Sequence, residues 1–584
     1  MKSLPFLAIF WLFLSCHSPQ KPTNVLLIMV DDMGYGDMGL SGNPILKTPI
    51  LDSLARKGTQ FSHFYVSSVC APTRASLLTG RYHQRTGVRS VTNGFETMNP
   101  NETTLAEILK ANGYRTGIFG KWHLGEYYPS LPNAQGFDEF IGFRTGHTDD
   151  YFDPTLLHNG KPENYQGYIT DVLTDEALKF MGSSQNPFFC YLPYNAPHTP
   201  LQVDSQWFQP YLDQGLEDRE ARVYGMMANI DHNIGRMIGE LKNKGILEHT
   251  LVIFISDNGP INGWRVPQEE MRFNAGLRDQ KFTIYEGGIR TQNIWLWPDQ
   301  IQRKPQIFNQ IAAHIDVLPT VLEVLDISLP DSLKIDGMSL IPTAKGKSDS
   351  HDSRLFFQNY SLETLREPAP FPGGIVRKGN WKMVNGEALY DLSKDVGEKE
   401  NLADEYPQIM SELREAYLTW YEDVHAEMGF FPRPIPVGYP ESPTVEIKPH
   451  HGKATGNLQF LGKRGLEGEK TGSHPTGVDG DWIGNWQKSG DQITWEIEVV
   501  TEGKYEILAN LRGKTGENSC KIKVLLNSEI YPVTLYEAND SENWQPIHFT
   551  YTPLRKGTYT LTIQLDAKDP QDWFEIESLI LKLV

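Results

Sequence analysis

At 584 residues the chain exceeds what one hydrophobic core can fill, so at least two domains are expected. Its 39% hydrophobic and 22% charged residues are those of an ordinary globular protein, not of a disordered or fibrous one. A net charge of -19 excludes a general nucleic-acid binder and requires any anionic ligand to be met by a local cationic pocket.

The chain opens with Lys2, an apolar run over 4–14, and Ser15-Cys16. That run is shorter than the roughly 20 residues needed to cross a bilayer and fits the core of a signal peptide over 1–16. Cys16 behind a small residue has the form of a bacterial lipoprotein site, with simple secretion as the alternative. Either reading makes the protein exported, periplasmic or at the outer surface, with membrane contact only through the anchor. Apart from Cys16 and Cys70, only Cys190 and Cys520 remain, in separate predicted domains, so no disulfide framework is expected.

Asn24 to Val30 is a continuous apolar run ending in Asp31-Asp32, and 251–256 is another, ending in Asp257-Asn258-Gly259. Runs without alternation predict strands buried on both faces, as in a parallel sheet covered by helices. Thr104 to Glu107 forms a capping box, with Gly113 as a helix stop. Val223, Met227, Ile230, Ile234, Met237 and Leu241 keep helical spacing just before the second strand. The succession predicts an α/β domain over 22–350, with a central, mostly parallel sheet whose ligands sit at the carboxyl ends of its strands.

From 351 to 428 the character changes. Short extended runs at 355–357, 374–377, 381–384 and 388–392 precede an amphipathic helix over 407–424. A small antiparallel sheet with a helix on it is expected. A proline-rich linker follows over 429–445, and strand-and-turn alternation over 446–584 predicts a β-sandwich. Gly480-Asp481-Trp482-Ile483-Gly484-Asn485-Trp486, with Gly503-Lys504-Tyr505, is similar to carbohydrate-binding jelly-roll modules. A stabilising accessory domain whose tryptophans are core is the alternative.

Five clusters carry chemistry. Asp31, Asp32, Asp257 and Asn258 offer oxygen ligands to a hard divalent cation, while no thiolate or paired-histidine set is spaced for zinc. Cys70-Ala71-Pro72-Thr73-Arg74-Ala75-Ser76-Leu77-Leu78-Thr79-Gly80 is followed by Arg81. Gly113-Tyr114-Arg115-Thr116-Gly117-Ile118-Phe119-Gly120-Lys121-Trp122-His123-Leu124-Gly125 puts a lysine and a histidine two apart, on one face if the stretch is extended. Asn195-Ala196-Pro197-His198-Thr199-Pro200 and Lys281, ahead of Tyr285-Glu286-Gly287-Gly288-Ile289-Arg290, add a histidine and a second lysine.

In these motifs, in this order, the chain resembles the formylglycine-dependent sulfatases of the alkaline phosphatase superfamily over 24–424. The resemblance implies that a maturation enzyme oxidises Cys70 to formylglycine (3-oxoalanine), which hydrates to a diol and attacks sulfur. It implies Ca2+ held by Asp31, Asp32, Asp257, Asn258 and the modified Cys70. Arg74 and His123 would hold the diol, Lys121 and Lys281 would neutralise the sulfate oxygens, and His198 would protonate the leaving alcohol. Asp279-Gln280 stand where Gly-Gly is usual, and Thr291-Gln292 where Val-Pro is usual. Export and the glycan-binding-like tail favour a sulfated carbohydrate or polysaccharide as substrate. Tyr127-Tyr128 and the 146–151 segment either line the sugar site or pack loops. The alternatives are a phosphodiesterase or phosphonate monoester hydrolase of the same superfamily, and a non-catalytic glycan-binding lipoprotein.

Overall fold

The structure, a computed structural model, describes residues 23–182, 186–261, 272–297, 306–346, 354–365, 367–427, 432–461, 482–516, 520–535 and 543–584. The signal segment with Cys16, residues 429–431 of the linker, and Gly480-Asp481 lie outside these.

A ten-stranded sheet organises the first part. Its strands are β1 (Asn24–Val30), β2 (Thr59–Tyr65), β3 (Arg115–Lys121), β4 (Glu139–Phe143), β5 (Thr155–His158), β6 (Lys161–Asn164), β7 (Phe188–Pro193), β8 (Thr250–Ser256), β9 (Asn293–Leu296) and β10 (Gln306–Ala313). They lie in the order β10-β2-β9-β8-β1-β7-β3-β4-β5-β6. The block β8-β1-β7-β3-β4 is parallel throughout. Only β9 and β5 run against it; the edge strand β6, antiparallel to β5, runs with the block again. The apolar run of β1 is explained by burial on both sides. Leu26, Ile28 and Val30 enter one core with the helices Ile169–Gly182 and Asp218–Asn243. Val25, Leu27 and Met29 enter another with the helices Cys70–Thr79, Leu105–Ala111 and Val317–Val324. Thr104 and Glu107 exchange the reciprocal hydrogen bonds of the capping box.

Four antiparallel strands, Leu355–Asn359, Gly374–Lys378, Trp381–Val384 and Ala388–Asp391, follow in sequence order. The helix Pro407–His425 covers them with Leu413, Tyr417, Trp420 and Val424. Two further sheets enclose one core towards the C-terminus. Gln492–Val499 shows why: Ile493, Trp495, Ile497 and Val499 point in and alternate with wetter residues. The expected α/β core, small antiparallel sheet and all-β tail are therefore all present. Trp486 and Trp495 are core, whereas Trp482 packs on Trp544 beside Arg512. Cys190 and Cys520 are buried and free, far apart in the fold. Among the described residues no helix is long and apolar enough to cross a membrane.

Candidate active site

β1 and β8 run parallel with Val30 opposite Ser256, so Asp31-Asp32 and Asp257-Asn258 leave the sheet side by side at its carboxyl edge. Asp32 sits at φ 67°, in the left-handed region, which turns the chain there. Asn258 Nδ2 donates to Asp32 Oδ1 at 2.7 Å, and the Asp32 amide donates to Asp257 Oδ1 at 3.2 Å. All four side chains are buried. Asp31 Oδ1, Asp32 Oδ2 and Asn258 Oδ1 nevertheless accept no hydrogen bond. Buried oxygens without donors are rare, and a cluster of them is what a hard cation requires. The residues fit Ca2+ or Mg2+ better than a softer ion.

The helix Cys70–Thr79 is buried along its whole length. Pro72 lies in its first turn, where a missing N–H costs nothing. Arg74 is one turn beyond Cys70 and shares its face, which explains the Cys-x-x-x-Arg spacing. Arg74 Nη2 lies 2.7 Å from Asp257 Oδ2, and Nη1 donates to the Lys121 carbonyl at 2.9 Å. Cys70 Sγ lies 3.3 Å from His123 Nδ1. The other ring nitrogen, Nε2, lies 2.9 Å from the Val91 carbonyl. A carbonyl only accepts, so Nε2 carries the proton and the Nδ1 lone pair faces residue 70. Burial, with Lys121 and Arg74 adding to it, pushes the imidazole down to about 3, so it is neutral.

Lys121 ends β3 and places Nζ 2.7 Å from Asp31 Oδ2. Lys121 and His123 do reach one site, but not by strand alternation: His123 has φ 61° and turns its ring back through a left-handed residue. His198 follows β7; its Nδ1 lies 2.7 Å from the Thr199 carbonyl and Nε2 lies 3.8 Å from Asp32 Oδ2. Burial, only partly opposed by Asp31 and Asp32, lowers this imidazole to about 4. Lys281 Nζ lies 2.6 Å from Asp32 Oδ1. Burial works against its charge, but Asp32 outweighs it and holds the ammonium firmly protonated. Asp279, standing where the family has glycine, adopts φ 62°, a conformation aspartate tolerates better than most residues. Three cations thus face three carboxylates, and a divalent ion would turn the balance positive for an anionic ester.

Some contributors belong to none of the five motifs. The Tyr151 hydroxyl lies 2.9 Å from the His198 carbonyl and 3.2 Å from that of Thr199, anchoring the histidine loop. A Cβ on Gly146 would lie 2.8 Å from two atoms of the His123 ring, so only glycine fits there without moving it. Arg272 bridges the Asp32 carbonyl and Asp37. Of the aromatic residues offered as sugar contacts, Tyr151 is fully buried and Tyr127 packs into the sandwich core, so both serve packing.

The family model "Sulfatase" matches residues 23–327, and "N-sulphoglucosamine sulphohydrolase, C-terminal" matches 274–422. The chain belongs to the sulfatase family. This sulfatase is 31% identical to arylsulfatase A of Homo sapiens over 509 residues, covering 74% of this chain and 94% of that one. It is 34% identical to N-acetylgalactosamine-6-sulfatase of Mus musculus over 376 residues, 59% of this chain and 70% of the other. Among solved structures, Ps i-CgsB in complex with k-i-k-neocarrahexaose superposes with a TM-score of 0.62 at 28% identity, covering 71% of this chain and 95% of that one. As a sulfatase the protein is a sulfuric ester hydrolase.

Proposed function

We propose that this sulfatase is exported and removes sulfate from a sulfated carbohydrate, with Cys70 converted to formylglycine by a maturation enzyme and Ca2+ held by Asp31, Asp32, Asp257, Asn258 and residue 70. The observation that carries this reading is the meeting of Cys70, His123 and Arg74 with two lysines at the oxygen-rich strand edge. The names of two similar proteins support the substrate class: one acts on N-acetylgalactosamine 6-sulfate by its name, the other was solved with an oligosaccharide.

When present, calcium supplies Lewis-acid charge and the converted residue supplies the oxygen nucleophile. The chain's own groups do the rest. Residue 70 begins a ten-residue helix, whose first-turn amides favour negative charge beside it. His123, with its Nδ1 lone pair turned to residue 70, takes up a proton there. Arg74 fixes Asp257 and, through the Lys121 carbonyl, the end of β3. Lys121 and Lys281 meet the sulfate oxygens. A sulfate beside His198 Nε2 raises that residue's low pKa, and the imidazolium so formed donates to the departing alcohol. Cys16 carries the lipid anchor if the leader is of the lipoprotein kind.

Peptide mass spectrometry of the Cys70 fragment from the native host, with sulfate release on a panel of sulfated saccharides, tests the reading. A formylglycine mass with release from one linkage is expected. Full conversion with cleavage of phosphonate or phosphate diesters alone would favour the superfamily alternative, and an unmodified cysteine with glycan binding alone the non-catalytic one.

A further inference from the structure

No stretch of the sequence spaces paired histidines for zinc, yet the fold assembles such a set between its parts. The short turn Pro449–His451 of the sandwich lays His450 and His451 against Glu96 and Glu126 of the α/β unit. His450 Nε2 lies 3.1 Å from Glu126 Oε1, and His451 Nε2 lies 3.6 Å from the same oxygen. His451 Nε2 is also 2.9 Å from Glu96 Oε1. We propose that Glu126, His450 and His451, with Glu96, hold a second metal ion, of the zinc class, that fastens the sandwich to the loops carrying His123.

Three observations support it. Ligand atoms 2.0–2.1 Å from a tetrahedral zinc lie about 3.3 Å from one another, and the separations of 2.9, 3.1 and 3.6 Å bracket that edge. Ligand atoms of Glu126, His450 and His451 all fall within 4.8 Å of each other.

The hydrogen-bond arithmetic also falls short without a cation. His450 Nε2 serves Glu126 Oε1 and His451 Nε2 serves Glu96 Oε1, and neither ring reaches the second Glu96 oxygen. Glu96, whose side chain is only 5% exposed, keeps Oε2 buried with no hydrogen-bond partner. A divalent ion would neutralise both carboxylates.

The surroundings already orient one ligand. Tyr127 Oη lies 2.6 Å from His451 Nδ1, the kind of outer contact that fixes a metal-binding imidazole's tautomer. Nitrogen-plus-carboxylate donors differ in kind from the all-oxygen edge at Asp31 and Asp257, so the two sites select different metals. Glu126 stands three residues after His123. Glu96 stands five after Val91, whose carbonyl holds His123. An ion here would brace both walls of the histidine.

The test uses the full chain, stripped of metal and then kept in saturating Ca2+ so that the oxygen-rich edge is filled. Zinc is added in excess, the protein is desalted, and retained metal is measured by elemental mass spectrometry. Wild type should keep one zinc per chain and His450→Ala none, with equal calcium in both. Cobalt should give the strong visible absorption of a tetrahedral ion in wild type and lose it in Glu126→Gln, with far-ultraviolet circular dichroism showing both variants folded. Zinc should raise the melting temperature of wild type and not of His450→Ala. A wild type that keeps no zinc, or variants that keep as much as wild type, overturns the proposal.

Discussion

Lys281 Nζ lies 2.6 Å from Asp32 Oδ1, with the lysine 3% and the aspartate 1% exposed. One carboxylate thus joins the distal lysine to the oxygen-rich edge, and its other oxygen, facing His198, accepts no hydrogen bond. Under the proposed function, metal affinity and sulfate binding are therefore coupled through Asp32.

Lys281→Met should separate the two. Removing a cation beside Asp32 leaves a buried carboxylate unpaired, so metal-free protein should lose about 3 kcal/mol. Calcium should bind more tightly than to wild type and restore most of that loss. Turnover should fall about 10²–10³-fold, the usual cost of one transition-state donor. Calorimetric calcium titration beside denaturant unfolding in chelator measures both, and unchanged calcium affinity would refute the coupling.

Arg74→Lys keeps the charge but not the fork. The guanidinium reaches Asp257 and the Lys121 carbonyl at once, which an ammonium at the same distance cannot do. We expect a stability loss of about 2 kcal/mol and a fall in kcat of about 10²-fold, with KM changed less. Urea midpoints and steady-state kinetics on one sulfated substrate check this.

Gly146→Ala should damage catalysis without unfolding the protein. No positive φ burdens the alanine, so its only conflict is with the His123 ring, which is pinned between Cys70 and Val91. kcat should drop about 10-fold or more while the melting temperature stays within about 2 °C of wild type. An alanine variant with wild-type kcat would show that the ring is free to shift.

Acid stability should depend on His83 and His314. Burial pushes each down to about 3, against about 6.5 when unfolded, and each is near a backbone carbonyl as a neutral ring. The unfolded chain binds the extra protons, so their contribution is full above pH 6.5 and is lost as pH falls towards 3. Each should add on the order of 1.4 kcal/mol per pH unit to the slope within that window. His314→Gln should flatten the urea midpoint against pH, and an unaltered slope would assign the acid lability elsewhere.

Much of this protein was open to reading along the chain because its informative signals are local. An uninterrupted apolar run such as 24–30 has no polar face to show to water, so a doubly covered strand follows. The pairs Asp31-Asp32 and Asp257-Asn258, after β1 and β8, had to share an edge once those strands were parallel neighbours. The residues at 70, 74, 121, 123, 198 and 281 stood out because each sits in a motif only a few residues long. Tertiary structure alone decided what distant segments do to one another. Lys121 and His123 meet through a left-handed turn that a strand rule does not foresee. Gly146 and Tyr151 matter only through the ring and loop packed on them. His451 and Glu96 lie 355 positions apart and touch only because the sandwich docks on the α/β unit. A side chain's periodicity is set by its nearest neighbours along the backbone, but its chemical partner is set by how whole layers pack, and no local pattern encodes that distance.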